Sequence, residues 1–155
     1  MASDAIFADF CAPLIGLPVS HVWRGYGSAI FLEFGKLRPT TRLDGKIGDP
    51  NGEWGLMIEW SWRIEGPRAI LCGSWSEAPL LAKTFTKLRR AKVANVAPFG
   101  RLHEIEVTLS NGLRVISFST VEGQPQWALF HRDAGSWLTV RRGALRVERA
   151  KRASP

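Results

Sequence analysis

Residues 53–65 read EWGLMIEWSWRIE. Six large apolar side chains, Trp54, Leu56, Ile58, Trp60, Trp62 and Ile64, alternate without a break with Gly55, Met57, Glu59, Ser61, Arg63 and Glu65. Successive residues of a strand point to opposite faces, so a period of two over this length predicts one long β-strand with an apolar and a wetter face. The turn signal Gly66-Pro67 comes next, and RAILCGSW behind it predicts a strand that pairs back antiparallel. Trp54, Trp60, Trp62 and Trp75 therefore fall within one hairpin. A sheet packed on helices uses such rings as core; a barrel lined by them holds a small apolar ligand. The sequence leaves both open.

Upstream, HVWRGYGSAIFLEFG (21–35) places the only tyrosine between two glycines. Strands over about 19–24 and 28–35 flank it, the second alternating Ile30, Leu32, Phe34 with Ala29, Phe31, Glu33. Gly25-Tyr26-Gly27 reads as the hairpin turn, since glycine tolerates positive φ. A phosphate-binding reading fails on spacing. Walker A needs GxxxxGK[ST], a dinucleotide fingerprint needs a third glycine where Ile30 stands, and the next element is a strand rather than a helix N-terminus. Before this hairpin, Ile6, Phe7, Phe10 and Cys11 predict a short helix over 4–12, ended by Pro13, Gly16 and Pro18. Residues 36–52, rich in Gly, Pro and Asp, read as a long excursion between sheet elements.

Downstream, Leu81, Phe85 and Leu88 recur at helical spacing within 77–92, with Lys83, Lys87, Arg90 and Lys92 pointing elsewhere. Ser76 is the candidate cap and Pro79 suits the first turn. HEIEVTLS and LRVISFST then flank Asn111-Gly112, a strong hairpin signal. A two-residue turn there sets Val107 opposite Ile116 and Ile105 opposite Phe118. PQWALFHR, SWLTVRR and ALRVER read as three more short strands, the last two joined near Gly143. Together these elements predict one α+β, mostly β domain over residues 1–155. It is a curved antiparallel sheet or partial barrel built of hairpins, with a short N-terminal helix within 1–17, a basic amphipathic helix packed on it, and a frayed tail at 150–155.

Composition narrows the function classes. No run approaches the ~20 apolar residues of a membrane-crossing helix. Asp4 and Asp9 with no early Lys or Arg argue against a secretory signal. Two cysteines, Cys11 and Cys72, fit reduced thiols in a cytoplasmic protein better than a disulfide scaffold. The net charge is +7, unevenly placed: residues 1–80 carry 7 Lys+Arg against 9 Asp+Glu, the rest 14 against 5. Such asymmetry points to an acidic partner.

GYGSAIFLEFG, EWSWRIE and SNGLRVISFS resemble a family of small uncharacterised bacterial proteins, a domain of unknown function with a GYGS-type hairpin and a mostly β body. The resemblance implies the fold and brings no activity, cofactor or catalytic residue.

No catalytic, metal or cofactor motif emerges. His21, His103 and His131 lack paired-ligand spacing, the serines lack a GxSxG elbow, and the carboxylates Glu59, Glu65, Glu104 and Glu106 alternate as on the wet side of a sheet. The leading expectation is a non-catalytic interaction module that sets a basic surface, Lys83, Lys87, Arg89, Arg90, Lys92, Arg141, Arg142 and Arg146, against an acidic protein partner. The alternatives are a small apolar ligand held by Trp54, Trp60, Trp62, Trp75, Tyr26 and Arg24 in a tryptophan-lined β cavity, and weak nucleic-acid binding through the basic C-terminal half. Edge strands of an open sheet leave a homodimer open.

Overall fold

A computed structural model describes residues 2–151. Helix α1 (Ala2–Cys11) is followed by a 3-10 turn (Ala12–Leu14) and strands β1 (Val19–Arg24), β2 (Ile30–Phe34), β3 (Trp54–Ile58), β4 (Trp62–Glu65) and β5 (Ile70–Gly73). Then come α2 (Ala78–Leu88), β6 (Val93–Phe99), β7 (Glu104–Leu109), β8 (Arg114–Ser117), β9 (Trp127–His131), β10 (Ser136–Arg141) and β11 (Ala144–Arg149). The strands make two antiparallel sheets, ordered β1-β2-β3-β9-β10-β11 and β5-β4-β8-β7-β6. The α+β, mostly β class holds, but with two sheets, and they do not close into a barrel.

The stretch 53–65 is not one strand. β3 pairs with β2 and β9, whereas β4 pairs with β5 and β8, so the chain crosses from one sheet to the other at Glu59-Trp60-Ser61. Trp54, Leu56, Ile58, Trp62 and Ile64 are all buried in one shared core, and Trp60 alone leaves it. Both sheets face that core, so the crossing preserves the parity of the pattern and hides the break. Burying each such side chain contributes about 1.5–3 kcal/mol.

At one edge the sheets are stitched together. Gly16 and Val19 N–H donate to Val93 and Ala91 carbonyls at 2.8 Å each, and Arg90 and Val93 N–H return to Val19 and Leu17 at 2.8 and 2.9 Å. Helix α1 lies against β6 and β11 and fills the core with Phe7, whose ring meets Trp127 edge-on at 6.3 Å. The buried stripe is Phe7, Cys11 and Leu14; Ile6, expected on it, is exposed. Helix α2 buries Leu81, Phe85 and Leu88 as predicted but stops at Leu88. Arg89 is extended and Arg90 has φ +71, a conformation no helix continues through. Ser76 does not cap it: Glu77 holds the cap position, and the Ser76 hydroxyl accepts the Gly73 N–H at 2.9 Å.

The β7–β8 hairpin shows a one-residue shift. Leu109 N–H donates to Leu113 C=O and Gly112 N–H to Leu109 C=O, with Gly112 at φ +84. The loop is therefore Ser110-Asn111-Gly112, three residues with glycine in the left-handed position. Val107 pairs with Val115, not Ile116. A one-residue shift exchanges faces: Ile105 and Val107 stay buried, Val115 takes the core place expected of Ile116, and Phe118 is exposed. Strand β6 carries no alternating signal and is not among the elements that the sequence predicts. The expected tail from 150 begins with Ala150, whose N–H donates to Gly135 C=O at 2.8 Å; the part beyond 151 lies outside the described residues.

Candidate binding site

At the sheet crossing, Ser61 N–H donates to Glu59 C=O at 2.9 Å around Trp60, whose φ is +66. This is a γ-turn of the rare positive-φ kind, strained for any residue with a Cβ. Such a conformation persists only where its surroundings over-determine it. Here the buried Ser28 hydroxyl donates to Trp60 C=O at 2.7 Å, Glu59 N–H donates to Gln126 C=O at 2.9 Å, and Phe118 N–H donates to Ser61 C=O at 3.1 Å. Ser28 C=O in turn accepts the Trp62 indole N–H at 2.5 Å. The corner is pinned from three sides, and it holds Trp60 53% exposed.

Tyr26 stands beside this corner, fully exposed. Gly25 N–H donates to Ala29 C=O at 2.9 Å, closing a three-residue loop in which Gly27 takes φ +67. Gly25 serves space rather than φ, because a Cβ there would overlap the Phe31 ring. Phe31 in turn stacks on Trp23, with centroids 4.1 Å apart and planes 10° apart. Tyr26, Ser28, Phe31, Met57, Glu59 and Trp60 line a cleft of about 190 Å³. Pockets for drug-sized ligands run to about 300–1,000 Å³, so this one suits a group the size of a side chain.

The predicted aromatic set divides. Trp54 and Trp62 are core residues: Trp54 stacks on His131 at 4.3 Å and meets Phe10 edge-on at 5.3 Å, and Trp62 packs on Phe85 at 6.2 Å. Trp60 and Trp75 are on the surface, Trp75 83% exposed. No cavity enclosed by the four rings exists among the described residues. Trp62 and Trp75 instead line a shallow groove of about 430 Å³ with Ile70 and Phe118. Arg24 donates to Gly27 C=O at 3.4 Å and lines a neighbouring depression with Tyr26, outside the Tyr26–Trp60 cleft. Phe31, Met57 and Ser28 are not among the site residues that the sequence suggests. Apolar residues on the face assigned to solvent, Phe31 and Met57, were the available signal.

The basic residues also divide. Lys83 and Lys87 lie on α2; Arg89, Arg90 and Lys92 come after it on the connection into β6. None of these five has a carboxylate within 4.0 Å among the described residues. Arg141, Arg142 and Arg146 belong to the β10–β11 hairpin of the other sheet. Arg141 is paired with Glu148 at 2.7 Å, and this hydrogen-bonded guanidinium, with the Trp137 indole adding to it, holds the Glu148 carboxyl below its ordinary value.

His21 bonds Asp49 at 2.9 Å, His131 lies under Trp54, and His103 sits at φ +62 before β7. No group of three potential metal ligands converges among the described residues. Cys11 and Cys72 are buried and free. No described helix is long and apolar enough to cross a membrane. No family model matches the chain, and no curated protein or solved structure is significantly similar to it.

Proposed function

We propose that the protein is a binding module that seats a side-chain-sized group of a ligand or partner between Tyr26 and Trp60. One observation carries the reading: Trp60, a half-exposed residue, is held at φ +66 by Ser28, Gln126 and Phe118. Strain of this kind clusters at ligand clamps. The indole N–H of Trp60 and the hydroxyl of Tyr26 make no hydrogen bond among the described residues, so both are available to a ligand. Exposed Trp and Tyr are the side chains that most often anchor binding. The buried free thiols support a reducing, cytoplasmic compartment.

The test is a fragment screen by ¹⁵N NMR that follows the Trp60 indole N–H, assigned through Trp60→Phe. Fragments that shift this resonance in the wild type and lose affinity at least about tenfold in Tyr26→Ala, roughly a hot-spot effect, support the reading. Fragments that bind only elsewhere, or bind Tyr26→Ala equally well, overturn it.

A second reading, an acidic protein partner, is favoured by the five unpaired cations at and after α2. Lys83→Glu with Lys87→Glu would then abolish a salt-sensitive complex. Loss instead of an oligonucleotide complex, with a log–log salt slope of several units, would point to nucleic acid.

A further inference from the structure

We infer that the group seated between Tyr26 and Trp60 is an alkylated ammonium, the head of a quaternary amine or of a methylated lysine. The inference rests on the cleft being a binding site and names the chemistry of its occupant.

Three aromatic rings, from Tyr26, Phe31 and Trp60, line the cleft together with the polarisable thioether of Met57. Aromatic faces carry negative charge density, and a cation within about 6 Å of a ring is attracted to it. Glu59 is the one charged residue of the lining. It is half-buried, and no Lys, Arg or His lies within 4.0 Å of its carboxylate among the described residues. In a chain with 21 Lys+Arg against 14 Asp+Glu, a carboxylate left unpaired beside three rings is complementary to a cation.

The competing occupants fit worse. An anion meets Glu59 with the wrong sign. A neutral apolar group would desolvate that carboxylate without giving it a partner. A primary ammonium or a guanidinium brings three or five N–H donors. The Ser28 hydroxyl donates its proton to Trp60 C=O and keeps its lone pairs, so the side-chain oxygen acceptors of the lining are the Glu59 carboxylate, the Tyr26 phenol and the Ser28 hydroxyl, and only Glu59 is charged. An ammonium whose hydrogens are replaced by methyl groups needs no acceptors, and it spreads its charge over a surface that packs on rings. Aromatic surroundings with one carboxylate answer that demand.

Choline and its uncharged isostere 3,3-dimethyl-1-butanol separate charge from shape. Each is titrated into ¹⁵N-labelled protein while the Trp60 indole N–H is followed, in the wild type and in Glu59→Gln and Tyr26→Ala. Choline is expected to bind about tenfold more tightly than the isostere, and Glu59→Gln to remove about threefold to tenfold of that preference. Tyr26→Ala weakens choline by a similar factor and leaves the folded spectrum unchanged. Equal or tighter binding of the isostere overturns the cation and leaves the cleft standing as an apolar site. No shift of the Trp60 resonance with choline also overturns the cation; if the fragment screen is blank at Trp60 as well, the binding-site reading falls with it.

Discussion

Arg132 closes over Glu33 across 99 positions of sequence, its Nη1 2.6 Å from Oε1 of a carboxylate that has no solvent exposure. Glu33 lies on the outer face of β2, between the core residues Leu32 and Phe34. It also accepts the Trp23 indole N–H at 2.9 Å and the Gly52 N–H at 3.1 Å, while Arg132 donates to Gly52 C=O at 2.9 Å. Gly55, opposite Glu33 in the register, is what makes room: a Cβ there would lie 2.5 Å from an Arg132 nitrogen.

Arg132→Ala is therefore expected to lower stability by about 3 kcal/mol, because it strands a buried carboxylate. Gly55→Ala should cost about 1–3 kcal/mol by displacing the guanidinium, and much less when Arg132 is already alanine. Urea unfolding of the four proteins in this cycle checks it. An unchanged cost of Gly55→Ala in the Arg132→Ala background would refute the account.

The Trp60 corner predicts an inverted order of substitutions. At ordinary positions alanine is more favourable than glycine, but at φ +66 a Cβ is the source of strain. Trp60→Gly should be more stable than Trp60→Ala by about 1 kcal/mol. Ser28→Ala, which orphans the Trp60 carbonyl, should cost about 1–2 kcal/mol. Thermal unfolding of the three variants decides, and alanine above glycine would rule the strained corner out.

The three-residue β7–β8 loop makes Gly112, at φ +84, the sensitive position. Gly112→Ala should cost about 1 kcal/mol. Asn111 accepts the Leu113 N–H at 3.2 Å and donates to Lys87 C=O at 2.9 Å, tying the loop to the end of α2. Asn111→Ala should cost about 1 kcal/mol and speed hydrogen exchange at the last turn of α2. Unchanged exchange there would show that the tie does not hold the helix.

Burial pushes the Cys11 thiol from an ordinary 9.0 up to about 12, and burial also raises Cys72 against an opposing hydrogen bond from Thr84. A thiol whose folded pKa exceeds its unfolded one contributes fully below the unfolded value and loses that contribution as pH rises through the folded value. Stability should thus fall between pH 9 and about 12, and Cys11→Ala should flatten the fall. Native protein at pH 8 should resist iodoacetamide at both thiols until urea unfolds it. Fast native labelling would contradict the burial.

Local signals were enough for the class of the fold. Alternation marks β2, β3, β4 and β7, the Leu81–Phe85–Leu88 spacing marks α2, and Gly27, Gly112 and Gly143 mark turns, because these patterns depend on residues a few positions apart. Partnership between distant segments was not legible. A period of two says that Trp54 and Ile64 are buried and is silent on whether one sheet or two bury them, since both sheets face the same core with the same parity. Loop length, not the Asn-Gly pair alone, set the β8 register and sent Phe118 outward. The site depended most on tertiary structure. Trp60 fits the apolar alternation perfectly, and it is exposed only because the chain must turn there from β3, held by β2 and β9, to β4, held by β5 and β8. Hydrogen bonds from elements far away in sequence fix that turn, so its one outward tryptophan becomes visible only once the sheets are assembled.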